Sequence, residues 1–130
     1  PKTPKPRRIE IYMASRSLYV PDNSRPIAIE GELKKYKNKL SGYCKRYFLI
    51  WGEILEYYHS KADLGKKWPK WLSLECADIV PKRTKDIKIS SGLQDLYIRF
   101  DSETQKQNWL EEFWKAIARA NLAIKTNTLI

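Results

Sequence analysis

Histidine is almost absent from this chain: among 130 residues His59 is the single copy. A Ser-His-Asp or Cys-His site would have to be built around that one residue. No G-x-S-x-G, P-loop or G-x-G-x-x-G string occurs to offer another route to catalysis. Cysteine is scarce too. Cys44 and Cys76 are the only two, and their spacing matches no metal or redox motif, so two reduced thiols are expected. No apolar run approaches the ~18 residues of a spanning helix, and no secretory signal pattern appears. Any lipidation signal ahead of Pro1 is invisible in the sequence. These absences predict a protein that is not an enzyme and carries neither cofactor nor metal.

Basic charge is abundant. Lys and Arg number 25 against 15 Asp and Glu, a net charge of +10. The distribution is uneven. Residues 34–46 carry +6 with no acid, residues 61–70 carry +3, and residues 1–8 carry +4. Together these stretches hold +13, which leaves the rest of the chain at −3. Concentrated positive charge implies a polyanionic partner: an anionic membrane, an acidic protein or nucleic acid. The bland alternative is a solvated lysine face.

The chain is long enough for one domain with one core. Residues 1–26 form a basic, proline-containing arm, expected to pack partly across the domain because Ile9, Ile11, Met13, Leu18, Tyr19 and Val20 supply apolar anchors. From Ile27 the apolar residues alternate with polar ones at period two, which predicts a strand. A basic loop with a Ser41-Gly42 turn follows, then a strand over 43–51, a tight turn at Gly52-Glu53 and a strand over 54–58. A lysine-rich loop spans 59–70. Strands are expected over 71–75, with Leu72, Leu74 and Cys76 on one face, and near 79–80, 87–90 and 96–100, with Pro81 and Ser91-Gly92 in turns. In the last strand Leu96, Ile98 and Phe100 face one way while Tyr97 and Arg99 face the other.

The period then becomes helical. Ser102 followed by Gln105 forms a capping box, and Trp109, Leu110, Phe113, Trp114, Ile117 and Ala120 recur at helical spacing, with Arg119 placed near the helix end. Trp109, Phe113 and Trp114 are expected in the core. The architecture is mainly β with one C-terminal helix: a small antiparallel barrel or sandwich over 27–121, followed by a tail or helix extension over 122–130.

These residues resemble the pleckstrin-homology (PH) domain family. Glu30-Gly31-Glu32-Leu33-Lys34-Lys35 is similar to the family's first strand, Lys45-Arg46-Tyr47-Phe48-Leu49-Ile50 to its second, and Leu55-Glu56-Tyr57-Tyr58 to its third. Trp109 stands where the family has its helical tryptophan. The resemblance covers about residues 27–120. It implies a seven-stranded antiparallel barrel of two near-orthogonal sheets, capped at one end by the amphipathic helix. It also implies an open end whose basic loops meet phospholipid headgroups. By the same resemblance Lys35, Arg46, Tyr57 and Lys70 match headgroup-contacting positions. Cys44 stands where the phosphoinositide pattern has a basic residue, so a simple phosphate monoester such as phosphatidic acid is expected as readily as a phosphoinositide. The basic arm ahead of a lysine-rich PH domain also resembles the acylated PH proteins of apicomplexan parasites.

The expected headgroup-binding set is Lys34, Lys35, Lys37, Lys39, Lys45, Arg46, Tyr57, Lys66, Lys67 and Lys70. Leu40 and Trp68 are the candidates for membrane insertion. Each has a second reading as a packing contact at the barrel rim. Each basic residue near an anionic leaflet contributes roughly 1 kcal/mol, so half of the ten basic residues in the two loops would supply about 5 kcal/mol. A further cluster, Lys82, Arg83, Lys85 and Lys88, either widens this basic face or points elsewhere. The expected function is a monomeric, cytoplasmic module that binds peripherally to the cytosolic face of an anionic phospholipid membrane. A protein-interaction module is the alternative. Nucleic acid is not the expected partner, because Lys45-Arg46-Tyr47-Phe48 lacks the glycine of an RNP1 string.

Overall fold

Alternation beginning at Ile27 folds as a strand, and that strand continues well past the alternating apolar residues. In the computed structural model, which describes residues 26–92 and 94–129, with side chains as far as Leu122, β1 runs Ile27–Asn38. Lys37 therefore lies on a strand rather than in the basic loop expected there, and Lys34 and Lys35 lie on the same strand. The cause is pairing: β2 (Gly42–Trp51) matches β1 from Ile27↔Trp51 to Asn38↔Gly42, leaving only 39–41 to turn. Gly42, with φ 62°, makes that turn cheap, since this left-handed conformation penalises any residue with a Cβ. Gly52, at φ 57°, does the same between β2 and β3 (Ile54–Tyr58).

After β3, a short 3-10 turn at Lys61–Asp63 leads through the lysine-rich loop to β4 (Lys70–Ser73). The chain turns immediately afterwards. Leu72 and Leu74 are buried, but Cys76 is exposed and left-handed at φ 59°, which takes it off the core face expected for it. β5 (Asp78–Arg83), β6 (Asp86–Ser91) and β7 (Gln94–Arg99) complete the sheet. Pro81 lies within β5 rather than in a turn. Among the described residues β5 pairs only with β6, and such an edge strand tolerates a proline.

The strand order is β4-β3-β2-β1-β7-β6-β5, antiparallel throughout. β1 and β7 join through only two residue pairs, Lys34↔Arg99 and Lys35↔Ile98. The single sheet thus has two wings hinged on the far half of β1. Its inner face carries the main core: Leu33, Phe48, Ile50, Leu55, Leu72, Ile87, Ile89 and Ile98 pack with Trp109, Phe113 and Ile117. A smaller cluster of Tyr47, Leu49 and Tyr58 lies on the outer face of β2 and β3, partly covered by Leu64 from the lysine-rich loop.

The helix, α1 (Glu103–Leu129), plugs one end of this sheet. At its start the Gln105 N–H donates to Ser102 Oγ at 3.1 Å, and the Gln105 side-chain oxygen accepts from the Asp101 N–H at 2.7 Å. The capping box is present, shifted by one residue in its return bond. Trp109 is buried, but Trp114 is 48 % exposed on the solvent side, outside the core expected for it. Its place in the apolar stripe is filled by Ala116, which is fully buried. Arg119 lies ten positions before the last helical residue rather than near the helix end. It donates to the Gly52 carbonyl at 3.0 Å and so fastens the β2–β3 turn to the helix. The sequence-based arm at residues 1–26 lies outside the described residues except for Pro26.

Candidate functional site

Period-two geometry divides the basic residues of β1 and β2 between two faces. On β1, Lys35 and Lys37 share the face of Leu33, so they continue the inner surface beyond the point where the core ends. Across the strand pair, Leu33 faces Arg46, and Lys35 faces Cys44. Two strands further on, Phe48 faces Tyr57, which in turn faces Lys70. One inner surface therefore passes from apolar at the helix-plugged end to basic at the other.

There a cleft of about 560 Å³ opens, lined by Lys35, Lys37, Arg46, Lys67 and Lys70, with a single carboxylate, Asp63, at its edge. Asp63 is held by Lys67 at 3.7 Å. Tyr57 forms part of the floor. Its ring stacks on Phe48 at 5.1 Å, and Lys35 Nζ lies 5.8 Å from its centroid. Arg46 is braced by donating to its neighbour's carbonyl, that of Lys45, at 2.7 Å.

The electrostatics of the cleft are set by its crowded cations. Burial pushes the Lys35 ammonium below its ordinary value, and the charges of Lys70, Arg46 and Lys37 push it further the same way. Burial raises the Tyr57 hydroxyl, with Arg46 opposing. An anion placed among these groups would relieve the repulsion and accept charge-assisted hydrogen bonds. Among the described residues no group of three or more His, Cys, Asp or Glu side chains is placed to hold a metal ion.

Of the residues expected from sequence, the structure brings Lys35, Lys37, Arg46, Tyr57, Lys67 and Lys70 together. Lys34 and Lys45 oppose each other on the outer face, and Lys45 lies 3.9 Å from Glu32. Lys39 and Lys66 are exposed but stand outside the cleft lining. Leu40 is 99 % exposed at the tip of the β1–β2 turn, with no rim contact. Trp68 lines the cleft while remaining 67 % exposed.

His59 also lines the cleft. It follows β3 directly and reaches the cleft because Tyr57 and Lys70 already do, a placement that only the β3–β4 pairing reveals. The cluster of Lys82, Arg83, Lys85 and Lys88 points elsewhere. It spans β5, its turn and β6, and Lys82 and Arg83 line a different cleft on the outer face.

No family model matches the chain. Comparison with curated proteins finds the human pleckstrin homology domain-containing family A member 8, 35% identical over 86 residues, which span 63% of this chain. The chain spans only 11% to 16% of the length of the first curated relatives it matches. Among solved structures, the PH domain of human oxysterol-binding protein-related protein 11 superposes with a TM-score of 0.69 at 22% identity, covering 74% of this chain and 84% of that one. The C-terminal PH domain of pleckstrin, solved in complex with an inositol pentakisphosphate, superposes with a TM-score of 0.61 at 16% identity, covering 72% of this chain and 97% of that one.

Proposed function

The chain belongs to the pleckstrin-homology domain family, and from that premise we propose that it is a peripheral membrane-targeting module rather than a catalyst. Its cleft would take the phosphate of an anionic phospholipid headgroup. The observation that carries this reading is the convergence of five cations with one carboxylate at the open end of the sheet. Trp68, which lines that cleft, and Leu40, exposed at the tip of the β1–β2 turn, would enter the leaflet. The inositol pentakisphosphate held by the pleckstrin domain is chemistry of the same class. Cys44, facing Lys35, leaves one position of the cleft rim neutral. That favours a phosphate monoester such as phosphatidic acid on equal terms with a phosphoinositide.

A co-sedimentation panel of vesicles matched in surface charge, carrying phosphatidic acid, a phosphoinositide or phosphatidylserine, tests this. Arg46→Ala and Lys45→Ala remove the same charge from adjacent positions on opposite faces. A charge-assisted hydrogen bond is worth about 1.5–3 kcal/mol, so Arg46→Ala should weaken binding by roughly 10- to 100-fold. Lys45→Ala loses only long-range attraction, about 1 kcal/mol or some fivefold. Equal losses would mean diffuse attraction without a headgroup site. Failure to bind any anionic vesicle would exclude the membrane reading altogether.

A further inference from the structure

The outer face of the sheet carries a second cleft, of about 440 Å³, built on different principles from the first. Its floor is aromatic. Tyr36 on β1 meets Tyr43 on β2 edge-on at 5.5 Å and Tyr97 on β7 at 6.3 Å. These rings come together because β1 pairs with both neighbours and their outward positions coincide.

One wall is a locked ion pair. Arg99 donates from Nε and Nη2 to the two carboxylate oxygens of Asp86, at 2.8 and 3.0 Å, and its guanidinium lies 4.0 Å from the centre of the Tyr43 ring. The other wall is the end of β5, where Lys82 and Arg83 are exposed. The backbone there is held from behind. The buried Lys106 ammonium donates to the carbonyls of Arg83 and Thr84 at 3.0 and 3.1 Å.

We infer that this outer cleft docks an acidic, extended segment of a partner protein, with carboxylates at Lys82 and Arg83 and an apolar side chain on the tyrosine floor. Charge and surface chemistry select this occupant over a second lipid headgroup. The inner cleft offers five cations for one carboxylate, whereas here Asp86 already neutralises Arg99 and takes its Nε–Nη2 donor edge. The two remaining cations sit together on one wall, so they suit carboxylates along one side of a peptide rather than a phosphate ringed by donors. A floor of edge-packed tyrosine rings rewards an apolar or aromatic side chain and gives a hydrophilic headgroup little. The side chains of Lys35 and Tyr36 leave β1 on opposite faces, so both clefts can be filled together. This inference does not depend on what fills the inner one.

The test is an amide-resolved NMR titration of the 130-residue chain with a capped hexapeptide alternating glutamate and phenylalanine. Control peptides replace glutamate by lysine or phenylalanine by serine. The expected result is movement of the Tyr36, Tyr43, Tyr97 and β5–β6 turn amides, persisting when inositol hexakisphosphate is present in excess. Both controls should bind at least about fivefold more weakly, and Arg83→Gln and Tyr97→Ser should weaken the parent peptide by a similar factor. Arg83 is exposed, so its substitution serves if Tyr97→Ser fails to fold. Loss of the shifts on adding inositol hexakisphosphate overturns the proposal. So does movement of the outer-face amides by inositol hexakisphosphate alone, which would assign the cleft to phosphate. Absence of any shift, or equal binding of the controls, also overturns it.

Discussion

Three influences meet on the Lys35 ammonium: partial burial, the neighbouring Lys70, Arg46 and Lys37 charges, and the ring of Tyr57 beneath it. The first two disfavour its charged form, so its folded value lies below 10.5. Between that lowered value and 10.5 the free protein has lost a proton that the unfolded chain keeps. The charged form is therefore a cost to the fold at lower pH, and that cost is relieved as pH rises through the window. A bound phosphate reverses the cause, since it cancels the repulsion and restores the proton. Headgroup binding should therefore return a proton to Lys35 in this alkaline window, where the phosphate itself no longer titrates. Calorimetry with a soluble inositol phosphate, in two buffers of different ionisation heat, measures the uptake. Lys35→Arg, which cannot deprotonate in this range, should abolish the difference while preserving binding. A difference that survives in Lys35→Arg would place the proton on another group.

The two ends of the sheet are fixed by different devices, and the helix supplies most of those at the closed end. Ser102 accepts the Gln105 N–H, so Ser102→Ala should cost about 1 kcal/mol and lower the melting temperature by a few degrees, without altering vesicle affinity. A change in affinity at constant pH and salt would mean that the helix start communicates with the basic cleft. The elements themselves were legible in the sequence. Seven strands and a helix followed from alternation, from Gly42 and Gly52 at turns, and from the shift to helical spacing at Trp109. Strand ends were less legible where polar residues stand in strands. The 36–38 segment looks like a loop because it lacks the apolar alternation of 27–33, yet pairing with β2 carries the strand to Asn38. That mattered for the site, since a loop would let all its lysines reach one ligand, while a strand sends Lys34 away and keeps Lys35 and Lys37. The outer cleft had no sequence signal, because Tyr36 and Tyr97 are brought together only by the two-residue junction of β1 and β7.

At the scale of the whole molecule, the two most exposed large apolar side chains among the described residues, Leu40 and Trp68, stand toward the same end as the basic cleft. The β1–β2 turn places Leu40 beyond the lysines, and the β3–β4 loop places Trp68 beside the cleft, while α1 closes the opposite end. Among the described residues no helix is long and apolar enough to cross a membrane, and the attachment proposed above uses these surface groups. Coulombic attraction and apolar insertion respond differently to salt. The Debye length falls from ~10 Å at 0.1 M to ~3 Å at 1 M, which removes long-range attraction but leaves hydrophobic transfer intact. Binding to anionic vesicles should therefore drop steeply over this range and level off at a residual affinity. Full burial of a leucine side chain is worth at least about 1.5 kcal/mol, so Leu40→Ser should lower that residual about tenfold or more. The same substitution should leave the melting temperature unchanged, because Leu40 makes no contact with the core. Superimposable salt curves for the two proteins would show that the tip stays in water and that the basic cleft alone holds the surface.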